Sequence, residues 1–162
     1  DVPIIYTLSK ADWMTLKYET TVHSLFLLPS IYEVSRVTVQ TDGKTYAFDV
    51  SGEKSETVSY NGEAIEKTAF SKFYQLLIGA SHDGNYVPDA QPQGDPVLTI
   101  TFDYRNDGNS DTLQFYDAGT RKLYVALNGE IEFTMMSSYL EKVQEACEQV
   151  INGETPDPDW KV

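Results

Sequence analysis

The chain has 162 residues, 25 of them Asp or Glu against 12 Lys or Arg, and its net charge of −13 repels both a nucleic-acid backbone and anionic lipid headgroups. With 41% hydrophobic residues, eleven Tyr and seven Phe it can fill the core of one domain, and no run of about 18 apolar residues is present to span a membrane. Its one cysteine, Cys147, excludes an internal disulfide.

In chain order, residues 2–8 read as an apolar strand. Ser9 followed by Asp12 resembles a capping box that opens a short helix through Trp13, Met14 and Leu16. Residues 22–28 are apolar, end at Pro29, and fit a helix or a loop equally. Val37 and Val39, then Tyr46, Phe48 and Val50, alternate with polar residues on either side of Thr41-Asp42-Gly43-Lys44, which predicts a hairpin. A second hairpin over 58–65 turns at Asn61-Gly62. Phe70, Phe73, Tyr74, Leu77 and Ile78 have helical spacing, so residues 67–79 are expected to form a helix ending at Gly79.

Residues 81–96, with Pro88, Pro92 and Pro96, predict a long loop of the kind that often carries function. Four strands follow at 97–104, 112–116, 122–127 and 130–134, separated by Asn106-Asp107-Gly108-Asn109, Asp117-Ala118-Gly119-Thr120 and Asn128-Gly129. Asn, Asp and Gly accept positive φ, so the chain can reverse tightly at each of these turns. Met136, Leu140, Val143, Cys147 and Val150 mark the apolar face of a last helix over 136–152, closed by Gly153. Residues 154–162 read as a flexible Pro-rich tail.

Candidate chemistry is sparse. Cys147 lies on the apolar stripe between Glu145 and Glu148, an environment opposed to a thiolate, and reads as core. Two histidines, His23 and His82, are too few for a histidine-only zinc site. Asp107, Asn109 and Asp111 have the alternate spacing of a calcium loop. Thr112 and Ala118 stand where the EF-hand needs Gly and Glu, so a hairpin turn accounts for them better. No nucleophile elbow, phosphate-binding loop or dinucleotide fingerprint occurs. No catalytic residue, metal site or cofactor is therefore expected. A metal-dependent hydrolase would need at least three of His82, Asp83, Asp89 and Asp95 to converge. Tyr86 in the long loop and Trp160 in the tail are expected to be exposed aromatics suited to binding, and Tyr86, His82 and Asp83 are the candidate binding residues.

The hairpin with Tyr46 and Phe48, the Asn61-Gly62 turn, Phe70-x-x-Phe73-Tyr74-x-x-Leu77, the run from Asp95 to Phe102 and Tyr124-Val125-Ala126-Leu127-Asn128-Gly129 together resemble a bacterial, Firmicutes-type cell-envelope domain family of unknown function. The resemblance covers about residues 34–152. It implies repeated α+β units, an N-terminal anchor, an extracytoplasmic location and, for some members, a link to ABC-type transporters. Residues 5–8 before Ser9 echo residues 132–135 before Ser137, so residues 1–30 would be the end of a preceding unit and 31–153 the α+β domain. Because the chain starts at Asp1, an N-terminal anchor is expected to have been removed.

The expected fold is α+β: a twisted antiparallel sheet, built from a hairpin and a four-strand meander. Helices 67–79 and 136–152 would cover one face, burying Phe70, Phe73, Leu77, Leu140 and Val143 against Leu98, Ile100, Phe115 and Leu127. The expected function is a non-catalytic interaction module contacting an envelope or transporter protein, without nucleic acid and without inserting into the membrane. The alternative is a small-molecule or glycan-binding domain with a pocket between the sheet and the 81–96 loop.

Overall fold

The computed structural model describes residues 16–106 and 108–161. The strand expected at 2–8, the capping box at Ser9 and Asp12, and Asp107 lie outside the described residues. After a short helix α1 (Tyr18–Thr21) come β1 (Val34–Thr41), β2 (Lys44–Ser51), β3 (Thr57–Tyr60), β4 (Glu63–Ile65) and helix α2 (Lys67–Ile78). Then follow β5 (Leu98–Tyr104), β6 (Ser110–Asp117), β7 (Lys122–Leu127), β8 (Glu130–Met136) and helix α3 (Ser138–Ile151). The strands form one open, fully antiparallel sheet in the order β4-β3-β2-β1-β5-β6-β7-β8, so the fold is α+β.

Three hairpins close with two-residue turns whose central residues both have positive φ: Asp42-Gly43 at 50° and 68°, Asn61-Gly62 at 51° and 83°, and Asn128-Gly129 at 52° and 91°. That backbone matches the strand twist, and Asx-Gly adopts it with little strain. Register then sorts the side chains. Phe48, Val37 and Phe102 lie side by side on one face, as do Tyr46, Val39, Ile100 and Leu113, and all seven are buried. Thr38, Thr99, Thr101, Thr112 and Gln114 alternate onto the other face and are half-buried. Arg105 ties this half together: Nε donates to Val34 O (2.9 Å), Nη1 to Gly52 O (2.9 Å) and Nη2 to Val50 O (3.1 Å).

Helix α2 meets the sheet through aromatic rings, with Phe70 and Phe73 at 5.5 and 5.2 Å from Phe48, and Tyr74 at 5.9 Å from Phe102. Helix α3 meets it through Tyr139, 5.4 Å from Phe115. The buried stripe of α3 is Tyr139, Val143, Ala146, Cys147 and Val150. Leu140 sits beside that stripe and is only partly buried. Met136 is not on the helix at all: β8 runs on to pair Lys122 with Met136, which leaves the Met136 side chain 41% exposed.

One further expectation is corrected: Trp160, expected to be an exposed aromatic in the tail, is 7% exposed. Its Nε1–H donates to Gly79 O at 3.0 Å, and its ring meets Tyr139 edge-on at 5.3 Å. Gly79 ends α2 in a right-handed conformation (φ −78°), so glycine is not needed there for its φ. A Cβ would lie 3.1 Å from Gln75 O and 3.2 Å from Leu76 O, a tight fit in which neighbours would shift by a few tenths of an ångström, and 3.6 Å from the Trp160 nitrogen, an ordinary contact. Tyr139 donates to Leu77 O at 2.9 Å, so two side chains satisfy carbonyls at the end of α2.

Residues 22–28 form a loop with bends, not a helix, and Leu25 pairs with Ser81. The first part of the 81–96 loop is also committed. It runs antiparallel along β8 through Asp83 N to Thr134 O (3.0 Å), Thr134 N to Asn85 O (3.2 Å) and Val87 N to Glu132 O (2.7 Å). That cover keeps the β8 edge from recruiting another strand.

Candidate functional site

Where the 81–96 loop begins, four separate pieces of chain meet around a cavity of about 510 Å³. Its wall consists of Ser81, His82 and Asp83, then Arg121, the β8–α3 junction from Met136 to Ser138 with Glu141, and finally Trp160 and Lys161.

Each piece is held by local chemistry. Ser81 is pinned between Phe26 N–H donating to Ala80 O (3.1 Å) and His82 N–H donating to Ser24 O (2.9 Å). Arg121 ends a run of left-handed residues, Gly119, Thr120 and Arg121, at φ 68°, 51° and 63°. The Asp117 carboxylate accepts the Gly119 amide at 2.8 Å at the start of that run, and the Arg121 carbonyl accepts the Ser137 amide at 2.9 Å at its end. The turn thereby fixes the residue just before α3 relative to Arg121. Ser137 occupies the N-cap position; its side chain caps no amide, and its carbonyl accepts the Leu140 amide at 3.0 Å.

One polar atom on this wall stands out. Ser81 is 2% exposed, and among the described residues its Oγ has no hydrogen-bond partner. A buried hydroxyl without a partner costs on the order of 1–3 kcal/mol. Arg121 is likewise in no ion pair among the described residues, whereas Lys122 and Asp83 pair at 2.9 Å. Lys161 lies over the Trp160 ring, 5.5 Å from its centroid.

The residues singled out from sequence divide. His82 and Tyr86 come together on Phe133, with ring centroids 4.2 and 5.3 Å from it. Both His82 nitrogens are used: the Gly84 amide donates to Nδ1 at 3.1 Å, which leaves Nε2–H to donate to His23 O at 3.2 Å. Tyr86 is 40% exposed, packs edge-on against Tyr18, and lies on the wall of neither large cavity. Asp83 turns the other way. Burial would raise its pKa, but the Lys122 ammonium, the Asn85 amide and the Thr134 hydroxyl outweigh this and hold its carboxyl below the usual range. Asp83 and His82 therefore position the loop, and His82, Asp83, Asp89 and Asp95 form no metal-ligating cluster; among the described residues none is present. Asp111 accepts from Tyr104 Oη at 2.7 Å and from Asn128 Nδ2 at 2.8 Å, as a hairpin residue would. Burial pushes the Cys147 thiol up to about 12, with Glu148 adding to the shift.

A larger depression of about 620 Å³ lies between the β1–β2 turn, residues 95–97 and α3. Part of its polar lining is paired within the protein. Gln144 Nε2 donates to Thr41 Oγ1 at 2.9 Å, Thr41 Oγ1 donates to Val97 O at 3.1 Å, and Lys44 pairs with Glu148 at 2.7 Å. The smaller cavity, with an Arg121 that is in no ion pair among the described residues and the Trp160 ring beside it, is the better candidate. Ser81, Arg121, Ser138 and Lys161 were not visible as a site in the sequence, which holds no local signal joining them; only the Ser137-Ser138 pair before an apolar stripe marks a helix start.

Comparison with known proteins returns no match: no family model, no curated protein and no solved structure is similar to the chain. No described helix is long and apolar enough to cross a membrane.

Proposed function

We propose that this chain is a non-catalytic binding domain for a small molecule seated in the cavity between Ser81, Arg121, the start of α3 and Trp160. One observation carries the reading: Ser81, Arg121, the start of α3 and Trp160 come from four separate pieces of chain and line one cavity of about 510 Å³. The volume suits a small ligand, and Trp160 supplies a flat apolar surface beside polar groups. The two side chains most suggestive of catalysis are committed elsewhere, His82 through both nitrogens and Cys147 by burial with a raised pKa.

The test is a fragment-library titration followed by amide and indole NMR shifts. Saturable shifts clustered at Ser81, Arg121, Ser138 and the Trp160 indole support the reading. Shifts confined to the groove at residues 40–45, or none at millimolar ligand, overturn it.

A second reading, an envelope interaction module, draws on the resemblance of residues 34–152 and on Leu28 and Tyr32, which stand 62% and 61% exposed before β1. In that setting the domain is extracytoplasmic and anchored, and serves a transporter or envelope protein. Crosslinking of the tagged protein in cells, read by mass spectrometry, would recover such partners through the 27–32 side. Recovery of none would count against this reading alone.

A further inference from the structure

Three Asn-Gly-Glu triplets stand in the chain, at residues 61–63, 128–130 and 152–154, and the fold treats them differently. We infer that Asn61 is a site of spontaneous, water-dependent deamidation in the native protein, and that Asn128 and Asn152 are protected by their surroundings. The chemistry needs only the chain and water. The Gly62 nitrogen gives its proton to solvent and attacks Asn61 Cγ. The new C–N bond displaces the side-chain nitrogen as ammonia, and a cyclic imide remains. Water then opens that ring: breaking the nitrogen's bond to Cγ yields Asp, and breaking its bond to the main-chain carbonyl carbon yields isoaspartate. One water is consumed and one ammonia released, with no change of oxidation state. Glycine favours closure because no Cβ crowds the attacking nitrogen.

The two residues after each asparagine are the same in all three places, so local structure decides. Asn61 and Gly62 are exposed and hold φ of 51° and 83° in the β3–β4 turn, and the Asn61 side chain makes no hydrogen bond among the described residues. Ring closure must swing Asn61 out of that turn geometry, and the hairpin around it opens easily. Strand β4 has three residues, none of them buried, and lies at the edge of the sheet. Asn128 has the same kind of turn, at φ 52° and 91°, but both ends of its side chain are held. Its Oδ1 accepts the Thr112 amide and its Nδ2 donates to Asp111, each at 2.8 Å. Its hairpin is also longer, with Phe133, Thr134 and Met135 of β8 buried. Asn152 ends α3, where the attacking nitrogen is itself engaged: Gly153 N–H donates to Val150 O at 3.3 Å, and Glu154 N–H to Gln149 O at 2.9 Å. Conversion at Asn61 adds one negative charge to the edge hairpin. Isoaspartate also lengthens the main chain by one carbon inside the turn, and the pairing of Tyr60 with Glu63 depends on the turn's length. The expected product is a protein whose β4 strand has come loose from β3.

The test is peptide mapping by mass spectrometry of the full chain after prolonged incubation at neutral pH, in native buffer and in concentrated urea. In buffer Asn61 is expected to convert at least about tenfold faster than Asn128, the factor for two hydrogen bonds that must break first, and faster than Asn152 as well. In urea the three rates should converge, because the triplets are alike once unfolded. Asp111→Ala, which removes the acceptor of the Asn128 side-chain amide, should speed conversion at Asn128 severalfold and leave Asn61 unchanged. Asn61→Gly keeps a residue that accepts positive φ and should remove the fast component. Hydrogen exchange of the aged protein should quicken over residues 58–65 and nowhere else. Conversion at Asn61 no faster in buffer than at the other two sites overturns the inference, and so does a lead for Asn61 that persists in urea. No change at Asn128 in Asp111→Ala overturns the protective role of its side-chain bonds. Converted protein with an unchanged exchange pattern overturns the loosening of β4.

Discussion

Trp160→Ala tests whether the C-terminal segment is part of the fold and of the cavity. The indole is 7% exposed, donates to Gly79 O and packs on Tyr139. An aromatic side chain buries about 150–250 Å², which at about 25 cal/mol/Å² is worth roughly 4–6 kcal/mol, and the hydrogen bond adds about 1 kcal/mol. The loss will be smaller than that sum. Without its anchor the segment after Gly153 can detach, and the backbone entropy it regains offsets part of the loss. The expected destabilisation is therefore about 2–4 kcal/mol, near the lower end of large-to-small core changes. Trp160→Phe keeps a ring on Tyr139 but loses the donor, and should cost about 1 kcal/mol. Urea unfolding followed by far-UV circular dichroism measures both, and hydrogen exchange over residues 154–160 shows whether the segment has let go. A Trp160→Ala variant within about 0.5 kcal/mol of the parent, with unchanged exchange, would refute the claim that Trp160 anchors this segment.

Three other outcomes follow from the same structure. Burial, with the Glu148 carboxylate beside it, pushes the Tyr46 phenol up to about 12. The folded state then holds that proton more tightly than the unfolded chain, so this contribution to stability is full below about pH 10 and is lost as pH rises towards 12. Stability should accordingly fall more steeply above pH 10 in the parent than in Tyr46→Phe, and equal slopes in alkaline urea titrations would contradict the assignment. Cys147, fully buried with its thiol raised by burial, should resist an aromatic disulfide reagent at pH 8 and react only at the rate of unfolding; fast labelling of the native protein would refute its core position. Thr120 holds φ 51°, where a β-branched residue is strained, so Thr120→Asn should raise stability by about 0.5–1 kcal/mol in thermal unfolding, and a drop would show that the Thr side chain has a role of its own.

Much of the sheet was legible because turn chemistry announces itself. Asp42-Gly43, Asn61-Gly62 and Asn128-Gly129 each demand positive φ, and the alternating runs beside them leave one register that buries Phe48, Ile100 and Phe115. Legibility fails where two periods overlap. Met136 fits an apolar stripe of period 3.6 as well as the end of a strand, and only pairing with Lys122 decides for the strand. Trp160 was misread for a different reason. Its neighbours are Pro, Asp and Lys, which describe the path of the chain, whereas its burial depends on the bare backbone at Gly79 and the ring of Tyr139.

The candidate cavity was illegible for a reason that also bears on what it does. No single segment carries it: Ser81 comes from a strand-like crossing with Leu25, Arg121 from a left-handed turn, Ser138 from a helix start and Trp160 from the chain's last stretch. The structural contacts nonetheless converge on the same place. Arg121 O holds the Ser137 amide, Asp83 and Lys122 lock the loop to the sheet, and Trp160 closes the wall while completing the end of α2. Stability and binding should therefore be separable at Ser81 and Arg121, whose side-chain polar groups have no hydrogen bond or ion pair among the described residues, and inseparable at Trp160. Trp160→Ala should abolish fragment binding in the cavity along with its loss of stability, whereas Arg121→Gln should lose binding alone. That contrast follows from the hydrogen-bond pattern, and it fails if Arg121→Gln unfolds the domain or if Trp160→Ala binds like the parent.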